Sequence, residues 1–115
     1  MNIKKNVYIP LEVATDDRLK PQEKMLYGWL LSFSYDSGTC ESTNRELSEL
    51  LRVGIDATSK YLRSLEEFGY ITRCVIKTPT KEVEKRVIFP KAEHIEQLRM
   101  QLKEITKEEC HDQKN

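Results

Sequence analysis

The chain has 115 residues, 38% of them apolar and 33% charged, which supplies one modest core and not two. No apolar run approaches the roughly 18 residues of a membrane span, and the basic start Met1-Asn2-Ile3-Lys4-Lys5 is not followed by the apolar block of a secretory leader. Its 19 basic and 19 acidic residues cancel, so any attraction for a polyanion has to come from a local excess: residues 44–91 carry ten basic and seven acidic groups, whereas residues 1–43 and 92–115 are slightly acidic.

In chain order, Val7-Tyr8-Ile9-Pro10 is a short extended lead-in and Asp16-Asp17 a loop. Leu19-Lys20-Pro21 predicts a helix start, because proline suits the first helical turn, and the helix runs to about Phe33. Leu26, Leu30 and Phe33 repeat at helical spacing with Met25 and Trp29 in a neighbouring row, so the expected buried face is wide; Trp29 is assigned to the core, and Tyr27 to the core with its hydroxyl at the rim. Gly28 lowers helix propensity and is expected to allow close packing. Asp36-Ser37-Gly38 is a turn, and Thr39-Cys40-Glu41 a short strand.

Thr43 followed by Glu46 is a capping box, which opens a helix from about Asn44 to Leu51 with Leu47, Leu50 and Leu51 on one face. Arg52-Val53-Gly54 is a turn. A second helix from about Ile55 to Phe68 turns Thr58, Tyr61, Leu62 and Leu65 inward, and Gly69 stops it. Tyr70–Ile76 and Val83–Phe89 alternate as strands around a Thr78-Pro79-Thr80-Lys81 connection, where proline is tolerated. Pro90 ends the hairpin. A last helix from about Ala92 to Lys107 carries Ile95, Leu98, Leu102 and Ile105 as a seam of barely two heptads, followed by a polar, fraying tail from Glu108.

Two helices joined by a short glycine-containing turn, then a hairpin, form the winged helix-turn-helix arrangement: an α+β fold with a three-helix core, a β-hairpin wing and a C-terminal helix, covering residues 1–90 with 91–115 appended. The second helix of such a pair can lie in the DNA major groove. On it, Ser59, Lys60 and Arg63 face outward with donors suited to bases or phosphate, and Ile55 and Ala57 suit a thymine methyl. Asp56 would repel phosphate but suits the positive helix end. Asn44 and Arg45 open the first helix, where unpaired N–H groups favour phosphate. Lys77 and Lys81, with Lys85 and Arg86 nearby, are expected to touch backbone from the wing, diluted by Glu82 and Glu84. The alternative for such lysines is protection of a strand edge.

Cys40, Cys74 and Cys110 are widely spaced, with no CxxC pair, and His94 and His111 offer no zinc spacing. Cys40 and Cys74 fall in expected strands as small apolar residues, which implies a reducing, cytoplasmic setting. With no Gly-rich phosphate loop and no paired-His motif, neither catalysis, a cofactor nor a metal is expected.

The run Ile9-Pro10, Leu19, Glu23-Lys24, Leu26-Tyr27-Gly28, Leu30-Leu31, Gly38, Ser42-Thr43-Asn44, Leu47, Leu50-Leu51, Tyr61-Leu62, Leu65 and Gly69-Tyr70-Ile71 resembles a winged helix common in bacteria, plasmids and phages. It is similar to the N-terminal domains of plasmid and phage replication initiators and of DnaD-like primosome proteins, across roughly Val7 to Pro90. Gly54 departs from that pattern, which usually has Ser or Thr there. The resemblance implies a binding protein of transcription control or replication, with double-stranded DNA as partner. Beyond its span, the heptad spacing and charged flanks of Ile95, Leu98, Leu102 and Ile105 favour a homodimer over packing of that stripe on the helix containing Trp29. The runner-up, favoured by zero net charge and Asp56, is a protein-interaction module that assembles a replication complex without reading DNA.

Overall fold

A computed structural model describes residues 7–77, 79 and 84–113, with side chains over 7–77, 79 and 85–103. The lead-in ends at Pro10, which starts a helix too short to show a periodicity, α1 (Leu11–Ala14). Helix α2 (Pro21–Phe33) begins where proline predicted, and the buried Glu23 carboxylate accepts from the Lys20 backbone N–H at 2.6 Å. Its inward face is Glu23, Leu26, Tyr27, Leu30 and Leu31. That corrects the wide face expected: Met25 is 43% exposed, and Trp29 lies at the rim, stacked on Phe33 with ring centroids 5.7 Å apart. The row starting at the Glu23 cap takes the core side, so the Met25–Trp29 row turns away. Gly28 does permit close approach, since a Cβ there would overlap Val7 Cγ1 of the lead-in.

Helix α3 (Asn44–Leu51) opens on the expected capping box: Thr43 Oγ1 accepts from Glu46 N–H at 3.1 Å, and Glu46 Oε1 accepts from Thr43 N–H at 2.9 Å. Leu47 is buried, but Leu50 is 40% exposed, and Ser48 goes inside in its place with its hydroxyl donating to the Arg45 carbonyl at 2.7 Å. The contact face of α3 follows Leu47, Ser48 and Leu51; Leu50 lies on the other side of Leu47. In the turn the left-handed residue is Arg52 (φ 60°), while Gly54 has an extended backbone and precedes helix α4 (Ile55–Glu67) without a side-chain cap. Thr58, Leu62 and Leu65 of α4 are fully buried, with Tyr61 half-buried. Fully burying one such leucine contributes about 1.5–3 kcal/mol. Gly69 (φ 83°) closes α4 as a Schellman end: Gly69 N–H donates to the Glu66 carbonyl and Tyr70 N–H to the Leu65 carbonyl, and Tyr70 and Leu65 are both core residues.

Strands β1 (Ile71–Lys77) and β2 (Glu84–Pro90) pair antiparallel, Ile71 opposite Pro90 and Lys77 opposite Glu84. The short strand expected at Thr39–Glu41 is a bridge at Cys40, which exchanges two 2.8 Å hydrogen bonds with Ile88. The alternation expected for β1 holds only at its base. Ile71 is buried, but Cys74, Val75 and Ile76 are exposed, so Cys74 is not the buried apolar residue expected, whereas Cys40 is. The hairpin leaves the body beyond Arg73 and projects as a wing. Thr80, Lys81 and Val83 lie outside the described residues. The whole is a winged helix-turn-helix.

Helix α5 (Ala92–Gln113) continues past the expected end near Lys107, in line with the helix-favouring Lys and Glu of that segment. Ile95 and Leu98 are buried in the chain's own core and Leu102 packs half-buried against it, so the expected dimer seam is spent internally over these positions. The Ile105 side chain lies outside the described residues. Buried His94 pins α5: Tyr27 O–H donates to its Nδ1 at 2.6 Å, and its Nε2–H meets Glu12 Oε1 of α1 at 2.8 Å. The Tyr27 hydroxyl also accepts from Lys91 N–H at 3.3 Å.

Candidate nucleic-acid interface

The surface of α4 follows from which of its residues the core takes. With Thr58, Leu62 and Leu65 inside, the opposite side presents Asp56, Lys60, Arg63 and Glu67, all exposed. The two cations stand in mid-helix. Asp56 sits in the first turn, where a carboxylate complements the helix dipole, and Glu67 is the last residue. Ile55 is 47% exposed at the helix start, with Ala57 and Ser59 half-buried on either flank. The expected reading face is thus brought together, bounded at both ends by acid.

One flank of α4 meets the wing. Glu66 Oε1 accepts from Arg73 Nη2 of β1 at 2.7 Å, and the Arg73 guanidinium holds the Glu66 carboxyl below its usual range. The other flank faces the α1–α2 connection across a groove of about 540 Å³ lined by Arg18, Lys20, Glu23, Lys60, Tyr61 and Ser64, among others.

The N-terminus of α3 differs from expectation. Asn44 is not open to a ligand through its carbonyl, because Arg86 of β2 donates to Asn44 Oδ1 and, at 2.6 Å, to the Ser42 carbonyl. Burial pushes the Arg86 guanidinium below its ordinary value, though arginine remains charged in any protein setting. Two neutral oxygens thus hold a cation against the first turn of α3. Arg86 was counted only among basic residues around the wing, and its role could not be read from a strand position 42 residues away from Asn44. Arg45 is exposed beside it. Of the wing lysines, Lys77 is exposed at the end of β1, Lys81 lies outside the described residues, and Lys85 pairs with Glu41 at 2.9 Å.

The distribution of ion pairs sharpens the charge argument. Among the described residues, Arg18, Arg73, Lys85, Lys91 and Arg99 each have an acidic partner. Of the others, Arg45, Arg52, Lys60 and Arg63 have none and lie on α3, its turn or α4, with Lys20 in the groove beside α4; Lys24 on α2, Arg86 on β2 and Lys103 on α5 have none either. Lys60 and Arg63 thus stand on the exposed side of α4 outside any ion pair, with the exposed acids Glu49, Asp56 and Glu67 on the same helix pair.

Other chemistry is poorly served. No group of side chains fit to hold a metal occurs among the described residues, and no described helix is long and apolar enough to cross a membrane. The Glu12–His94–Tyr27 array resembles a carboxylate–imidazole–hydroxyl relay, but Tyr27 is fully buried and burial pushes its hydroxyl well above its usual value. It reads as a latch between helices.

Residues 17–71 match the family model of a helix-turn-helix domain, a span that takes in α2, α3 and α4 and stops at the first residue of β1. A search of curated proteins finds no match.

Proposed function

We propose that the protein binds double-stranded DNA and recognises sequence through the outward face of α4, with the wing and the α3 N-terminus against the phosphate backbone. The observation that carries this is a helix-turn-helix scaffold whose second helix turns Lys60 and Arg63, neither in an ion pair, to its exposed side. Lysine and arginine there can donate to guanine or to phosphate, and Ser59 to either. Binding, not catalysis, is then the mechanism, in a cytoplasmic setting. A role in transcription control or in replication of a plasmid, phage or bacterial system follows the resemblance to replication initiators and DnaD-like proteins. A homodimer would set two α4 helices on paired half-sites. Such a dimer has to use surfaces other than Ile95 and Leu98, such as the outer α5 around Met100, which is 55% exposed.

A second reading, a protein-interaction module that reads no DNA, is favoured by the exposed apolar side chains of the wing, Val75, Ile76 and Phe89. One titration separates the two. A duplex selected from random DNA is bound in a salt-dependent manner, and Lys60→Ala and Arg63→Ala each weaken it by about 1–3 kcal/mol relative to random duplex without loss of fold. The number of chains per duplex in that titration reports the dimer. Equal binding by both variants and the parent would remove α4 as the reading helix.

A further inference from the structure

We infer that the groove between α4 and the α1–α2 connection receives the DNA phosphate strand on the side of α4 away from the wing, and that Lys20 is a backbone contact. This rests on the reading of α4 as the helix that enters the major groove. The major groove is about 12 Å wide, so a helix lying in it has a row of phosphates along each flank. One flank of α4 is tied to β1 by the Glu66–Arg73 pair, and the hairpin guards that side. The opposite flank is the groove of about 540 Å³.

Its chemistry suits an extended polyanion. Lys60 stands on the α4 wall and Lys20 on the facing wall, both exposed and neither in an ion pair. The acid in the lining, Glu23, is 4% exposed, and its carboxylate accepts from the Lys20 backbone N–H. Arg18 brings its own counterion, Asp16 at 2.7 Å, and lies over the Phe68 ring at 4.3 Å, so it serves as a rigid wall. Lys20 and Lys60 therefore carry the uncompensated charge, with Ser64, one turn on from Lys60 on α4, also in the lining. Two cations on opposite walls of an open trough fit a strand running along it.

The test uses the full chain and two duplexes, one selected for tight binding and one of random sequence, each titrated across a range of salt. Lys20→Ala keeps the α2 start, whose capping contact uses the Lys20 backbone, so its thermal unfolding should match the parent. It is expected to weaken both duplexes by a similar factor and to shrink the slope of log affinity against log salt by about one, with Lys20→Arg restoring both. If Lys60→Ala and Arg63→Ala weaken the selected duplex while Lys20→Ala changes neither affinity nor slope, the groove carries no strand and the reading of α4 stands. A Lys20→Ala loss confined to the selected duplex overturns the backbone assignment as well. A parent that binds neither duplex overturns both the reading of α4 and this inference.

Discussion

Arg45 occupies the first turn of α3, where the unpaired N–H groups already concentrate positive charge. A cation there works against the helix, and Glu46 beside it is engaged in the cap, its carboxyl held below the usual range by the Thr43 backbone N–H. Arg86 adds a second cation nearby through Asn44. The arrangement is unfavourable for the isolated domain and favourable for a phosphate. Arg45→Ala should therefore leave stability unchanged or raise it by about 0.3–1 kcal/mol while weakening duplex binding. Thermal unfolding and a duplex titration on the same variant check it. A variant that loses stability and keeps its affinity would make Arg45 an ordinary surface residue.

At the scale of elements, α3 and α4 each end on a left-handed residue, Arg52 and Gly69, with opposite consequences. Gly69 needs no Cβ at φ 83° and completes the Schellman end of α4, so Gly69→Ala should cost about 1 kcal/mol. Arg52 accepts the same backbone region at φ 60° with a full side chain, so Arg52→Gly should leave stability level or raise it by up to about 1 kcal/mol. Denaturant unfolding of both variants tests the contrast, and equal losses would contradict it. These elements also show what a sequence can disclose. Thr43 with Glu46, and Gly69 after α4, act within a few residues, so their roles were legible in advance. Leu50, Met25 and Trp29 were misplaced because helical spacing shows that a face is apolar without showing which flank a neighbouring helix will cover. Cys74 followed the strand pattern but left the body with the wing. Lys20 and Arg86 were missed as site residues because each gains its meaning from an element distant in the chain, α4 for one and the start of α3 for the other.

Across the whole molecule, α1, α2 and α5 are held together by Glu12, His94 and Tyr27, and this gives the fold a pH dependence of defined sign. Burial lowers the His94 value below its ordinary 6.5 despite the nearby Glu12 charge. Between the lowered folded value and about 6.5, the unfolded chain binds the extra proton, so this part of the stability is complete above about 6.5 and declines as pH falls below it. The carboxylates held low by partners (Glu12 first by Lys91, Asp16 first by Arg18) give up their share only in more acid solution. Unfolding midpoints should fall between pH 7 and 5.5 in the parent and stay flat over that window in His94→Gln, from a lower starting stability; a parent that is flat there would contradict the buried neutral latch. On the proposed function, the helix pair presents α4 to DNA while the latch, the core and α5 stand behind it. Amide resonances followed during titration with duplex DNA test this most directly. Shifts are expected to gather on residues 55–63, the start of α3 and the wing, and to fade as salt is added. Shifts gathered instead on α5 or on the apolar face of the hairpin, or none at stoichiometric duplex, would contradict it.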